Sequence, residues 1–231
     1  MPDGTFDLSV WLPEAGHGPG VLLIQEIYGV GEYIRDVAQE LTRLGYVVAA
    51  PDLFWRLQPN WEAAHTEEGT QQSLEMVSRF DFAQGMDDLC AAFDHVKAMP
   101  GIEGAPGVLG FCFGGTMAYL LAGQREPAAV LSFYGSGVAD QLAVLDRIEC
   151  PIQFHFGGSD PYIPRETVAA VEKAVEGRPN VEFHVQEDAG HAFLNHRAPM
   201  FHVPEPARRA WGLAEDFLAR HLPVGGGRQN S

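Results

Sequence analysis

The sequence is short of positive charge. Lysine and arginine total 15 against 31 aspartates and glutamates, a formal net charge of −16. Phosphate backbones are held by clusters of basic residues, and the chain has none, so nucleic acid is not an expected partner. Cysteine is scarce too. Cys90, Cys112 and Cys150 show no C-x-x-C spacing, and an odd count suits neither a disulfide framework nor a zinc ribbon. No run reaches the roughly 18 consecutive apolar residues of a membrane span. The opening MPDGTFDLSVWLPEAG lacks a basic start followed by an apolar stretch, so no signal peptide is expected. These absences point to a cytoplasmic protein, off the membrane, in a reducing compartment where a free thiolate survives.

What is present fits one α/β domain. A chain of 231 residues that is 46% hydrophobic can bury a substantial core. The expected domain is 1–222, with 223–231 (PVGGGRQNS) as a disordered tail. TFDLSVWLP alternates like an edge strand, and VLLIQE (21–26) reads as a strand covered on both faces. Ile34, Val37, Ala38, Leu41 and Leu44 then recur at helical spacing, with Gly45 as the expected helix end. YVVAAPD (46–52) is strand-like, and 53–81 reads as a loop with some helix. The alternation resumes with a helix over FAQGMDDLCAAFDHVKAM, its apolar side formed by Phe82, Met86, Leu89, Cys90, Phe93 and Val96. GVLGF is a strand, GGTMAYLLAG a helix, and AAVLSFYG and PIQFHFGG are strands. RETVAAVEKAVEG (helix), VEFHVQED (strand) and EPARRAWGLAEDFLARHL (helix) complete the pattern. Such alternation predicts a mainly parallel twisted sheet with helices on both faces, and ligand sites beyond the carboxyl ends of its strands.

Reactive side chains sit at those ends. Cys112 follows GVLGF in GFCFG, which fits the G-x-S-x-G elbow with sulfur in place of oxygen. A strand turning straight into a helix crowds the backbone, so small residues flank the turn, here Gly110 and Gly114. The helix start beside the sulfur favours its thiolate. Asp160, in GGSDPYIP, and His191, in AGHAF, each follow a later strand. Alone, each also reads as an ordinary turn or loop residue, and Cys112 as an inert core thiol. The order nucleophile, acid, histidine is that of α/β-hydrolases. In that reading His191 takes and returns a proton, and Asp160 orients its ring. The amide of Phe113 and one from the loop after VLLIQE, naturally Ile27, would form an oxyanion hole. Glu26 ends a buried strand, where a carboxylate needs a partner unless it turns to solvent.

The segments QEIYGV, GFCFGG, GGSDPYIP and AGHAF, in this order, resemble the dienelactone hydrolase family of α/β-hydrolases from about residue 5 to 222. The resemblance implies a Cys112–His191–Asp160 triad, an oxyanion hole from Ile27 and Phe113, and a Glu26 carboxylate that lies beside the resting thiol and helps generate the thiolate. It implies a cysteine-dependent hydrolase of small lactones or esters, working through a thioester acyl-enzyme with no metal or organic cofactor. It also implies two arginines for a substrate carboxylate, but this chain carries Thr70 and Asn195 at the matching positions. Arg56, Arg79 or Arg197 could take their place, or the substrate could lack a carboxylate.

Tyr28, Trp55, Phe113, Tyr134 and Phe193 are candidate pocket walls, although ordinary core is the more usual reading of each. Cys90 and Cys150 read as structural. His191, His196 and His202 fit no helical metal-ligand spacing. A monomer or weak homodimer is expected. Two other functions stand beside hydrolysis: a non-catalytic ligand- or partner-binding protein of the same fold, and a redox-active thiol, for which Cys112 has no resolving cysteine near it in sequence.

Overall fold

The computed structural model describes residues 4–225. Seven strands form one sheet: β1 (Leu8–Trp11), β2 (Gly20–Ile24), β3 (Val47–Pro51), β4 (Gly107–Phe111), β5 (Val130–Phe133), β6 (Ile152–Gly157) and β7 (Val181–Gln186), in spatial order β1-β3-β2-β4-β5-β6-β7. Among the described strands, only the β1–β3 pairing is antiparallel. Strands β2 to β6 are buried at every residue. That requires cover on both faces and explains their unbroken apolar runs. The edges differ: β1 is half to fully exposed, and β7 is half-buried along most of its length.

Among the described residues six α-helices supply the cover: α1 (Glu32–Arg43), α2 (Glu67–Arg79), α3 (Phe82–Ala98), α4 (Phe113–Ala122), α5 (Arg165–Val175) and α6 (Pro204–His221). α3 and α4 pack on each other and on the central strands, α1 packs on β1 and β3, and α6 on β6 and β7. Ile34, Val37, Ala38 and Leu41 of α1 are buried as the spacing predicts, whereas Leu44, the residue that ends the helix, is exposed. On α3, Met86, Leu89, Cys90, Phe93 and Val96 are buried. Phe82 is not: it stands at the first turn, 46% exposed, with its ring edge-on to Phe80.

The stretch 53–81 holds more order than its mixed polarity suggests. Thr66 caps α2 by accepting from Gly69 N–H at 3.1 Å, and Glu67 and Glu68 occupy the first turn, where the helix dipole favours them. This helix buries only Gly69, Ser73 and Met76, too narrow a stripe for a clear periodicity. A 3-10 segment, Ala139–Arg147, follows β5 and was not expected from the sequence.

From β2 the chain crosses to β3 on one side, while the later strands run outward on the other. The ends of β2 and β4 therefore flank the point where strand order reverses, the place such sheets leave open for a ligand. Of the tail, residues 226–231 lie outside the described chain.

Candidate active site

Cys112 stands between β4 and α4 with backbone angles φ 55° and ψ −115°. Few residues other than glycine adopt such angles, and the surroundings enforce them. A Cβ at Gly110 would lie 2.0 Å from the Gly114 carbonyl oxygen. One at Gly114 would lie 2.5 Å from the carbonyl oxygens of Ile24 and Gln25. Positions 110 and 114 must both be glycine for α4 to approach β2 and β4 so closely. Tyr134 and Ala192 also have positive φ, 38° and 53°. Three of the four such non-glycine residues among the described ones thus cluster at the strand ends around the sulfur.

The elbow aims the thiol at His191, whose Nε2 lies 3.0 Å from Cys112 Sγ. On the far side of the ring, Nδ1 lies 2.7 Å from Asp160 Oδ2. The other oxygen, Asp160 Oδ1, accepts from the N–H groups of Tyr162 at 2.8 Å and Ile163 at 3.1 Å. The carboxylate is thereby fixed in orientation and its side chain is wholly buried. Burial alone pulls the imidazole pKa down. The sulfur of Cys112 and the Asp160 carboxylate outweigh that and raise it from its ordinary value, the direction that favours an imidazolium beside a thiolate. Phe113 opens α4, so its N–H has no carbonyl within the helix to meet. It and Ile27 both line the cavity at the sulfur.

Glu26 is 2% exposed and has partners. His65 Nε2 lies 2.6 Å from Glu26 Oε1, and Asn195 Nδ2 donates to the same oxygen at 2.9 Å. The ring of Tyr28 lies over His65, 4.2 Å between centroids. The carboxylate and the thiol line one cavity, but the hydrogen bonds of Glu26 go to His65 and Asn195, and that of Cys112 goes to His191. Nothing in the sequence drew attention to His65, which lies in the aperiodic stretch before α2.

The cavity measures about 260 Å³. Tyr28 and Thr70 line it, joined by a 2.7 Å hydrogen bond between their hydroxyls. Leu74, Val77, Phe82, Tyr162 and Phe201 also line it and were not expected there from the sequence, which placed Phe82 on the core side of its helix.

Several expected contacts lie elsewhere. The indole of Trp55 donates to Asp88 at 2.9 Å and stacks on Phe6. Arg56 pairs with the same carboxylate and lies over the Trp55 ring. Asp88 has a fully buried side chain, and its need for donors draws both residues away from the cleft. Arg79 is exposed near the end of α2, and Arg197 is held by Asp36 and Glu32. Tyr134 and Phe193 are fully buried behind the site: Tyr134 lies 5.2 Å from the His191 ring and 5.5 Å from Phe193. They support the imidazole and do not line the cavity. Asn195 serves Glu26 and is likewise absent from the lining. Among the described residues, no group of three His, Cys, Asp or Glu side chains could hold a metal ion, and no helix is long and apolar enough to cross a membrane.

A mostly parallel sheet whose reactive side chains all stand beyond its strand ends, entered in the order Cys112, Asp160, His191, is the α/β-hydrolase arrangement. Sequence comparison narrows it. The chain belongs to the dienelactone hydrolase family, whose profile matches residues 6–222. It is 31% identical over 223 residues to the carboxymethylenebutenolidase of Pseudomonas sp. (strain P51), covering 96% of this chain and 93% of that protein. It is 30% identical over 216 residues to the carboxymethylenebutenolidase of Pseudomonas putida, covering 93% and 91%. A crystal structure of the dienelactone hydrolase type from Klebsiella pneumoniae subsp. pneumoniae superposes with a TM-score of 0.78 at 24% identity, over 93% of this chain and 99% of that one. At that identity the superposition speaks for the fold.

Proposed function

We propose that this dienelactone hydrolase-like protein is a cysteine-dependent hydrolase of small lactones or esters that works through a thioester. The observation that carries the reading is the unbroken hydrogen-bonded line from Cys112 through His191 to Asp160, ending on an open apolar cavity. His191 Nε2 takes the thiol proton, and Asp160 stabilises the imidazolium. The thiolate then attacks the carbonyl carbon and forms a C–S bond. Charge developing on the carbonyl oxygen meets the amides of Ile27 and Phe113. As the ring or alkyl C–O bond breaks, His191 returns the proton to the departing oxygen. Water next attacks the thioester and loses a proton to His191. The C–S bond breaks, His191 passes that proton to the departing sulfur, and the acid product leaves with the thiol restored. The relatives named carboxymethylenebutenolidase are consistent with a lactone as the natural substrate class.

The test is p-nitrophenyl ester turnover by the wild type, Cys112→Ala and His191→Ala, with mass spectrometry of the acid-quenched wild type. Turnover abolished in both variants, and an acyl mass on the Cys112 peptide, are expected. Undiminished turnover in Cys112→Ala would leave a ligand-binding protein with incidental esterase activity.

A further inference from the structure

The cavity beside Cys112 is apolar on most of its wall, through Ile27, Leu74, Val77, Phe82, Phe113 and Phe201. Beyond the reacting thiol and imidazole, its polar side chains are hydroxyls and one carboxylate, that of Glu26. Among the described residues, no lysine or arginine lines it. The arginines that could be imagined reaching in are engaged with carboxylates elsewhere or stand at the surface: Arg56 with Asp88, Arg35 with Glu62, Arg197 with Asp36 and Glu32, and Arg79 exposed. His65 is held against the Glu26 carboxylate and does not line the cavity.

The approach has the same character. A wider hollow shares Thr70, Leu74, Tyr162 and Phe201 with the cavity and adds Thr66, Gln71, Met200 and a second carboxylate, Glu67, again without lysine or arginine among the described residues. Leu74, Phe82, Tyr162 and Met200 are large, exposed and grouped around this mouth. A carboxylate-bearing substrate would thus pass one carboxylate and lose water in an apolar chamber beside a second, with no lysine or arginine there to offset the cost.

We infer that the site selects uncharged esters or lactones with a compact apolar body, and discriminates against substrates that carry a carboxylate. The inference rests on the hydrolase reading above and adds its substrate class.

Two esters with one leaving group test it: p-nitrophenyl butyrate, which is neutral, and mono-p-nitrophenyl succinate, which carries a carboxylate. The expected ratio of kcat/KM is about 100-fold in favour of the neutral ester, at the low end for an uncompensated charge because the cavity is open. Added salt should shrink only the part of that ratio due to long-range repulsion at the mouth. Thr70→Arg, which supplies a cation on the lining, should narrow the ratio at least about tenfold. Equal or faster turnover of the succinate ester by the wild type would overturn the inference while leaving the hydrolase reading intact. If neither ester acylates Cys112, the hydrolase reading fails and the inference with it.

Discussion

Replacing Asp160 by asparagine removes one charge and almost no volume, and the structure dictates how the new amide must sit. Two backbone donors, Tyr162 N–H and Ile163 N–H, converge on the position of Oδ1. Only the amide oxygen can occupy that place, because the amino group would set donors against donors. The amino group must then face His191 Nδ1, 2.7 Å away in the native protein. It donates there, so the imidazole carries its proton on Nε2, the nitrogen 3.0 Å from the sulfur. A nitrogen that already bears a proton cannot accept the one on the thiol. The expected loss in kcat/KM is about 10⁴-fold, equivalent to ~5 kcal/mol of transition-state stabilisation. Both backbone hydrogen bonds survive, so the melting temperature should move by only a few degrees. Initial rates with p-nitrophenyl butyrate across pH, beside a thermal melt, provide the measurement. A folded Asp160→Asn protein that loses less than about tenfold at pH 7 would refute the reasoning, since tautomer control would then not limit the rate.

Two more expectations concern groups outside that line. Burial pushes the Cys150 thiol up to about 11 and also raises that of Cys90. At pH 8 only about one Cys150 in a thousand is thiolate, so iodoacetamide should label Cys112 first, and peptide mass mapping that found Cys150 modified as fast would contradict the assignment. His155 is fully buried, and desolvation, with the charge of His184 next, holds its pKa well below 6.5. The unfolded chain protonates this residue before the folded one does. Stability should therefore fall as pH drops below about 6.5, by up to about 1.4 kcal/mol per pH unit, and His155→Phe should flatten that slope in urea unfolding at pH 7.5, 6.5 and 5.5. An unchanged slope would assign the acid sensitivity to other groups.

The residues that line up at the strand ends were legible because each directly follows a strand-like run, and strand ends are where such sheets expose chemistry. Gly110 and Gly114 were legible for the same steric reason that their close contacts show. The partners of Glu26 were not. Asn195 lies 169 positions away and His65 sits in a stretch without periodicity, so only tertiary contact joins them. Trp55 and Arg56 were placed over the cleft because they follow a strand. The buried Asp88, on a helix more than thirty positions further on, claims them instead. The start of α2 did carry a signal, Thr66 followed by two glutamates, but its narrow buried stripe left the hydrophobic pattern silent. Phe82 fitted the α3 apolar side by spacing, yet spacing alone could not show that the first turn of that helix projects past the core into the cavity.

The angles at position 112 have a consequence for how this protein could decay over generations. A cysteine held at φ 55° and ψ −115° costs about 1–3 kcal/mol that a glycine there would not incur. Selection for durability alone would favour exchanging the sulfur for nothing at all, and the resulting protein would outlast its ancestor in a heat test. Persistence of the thiol in a lineage would therefore register a demand on what the molecule does, separate from any demand that it merely stay folded.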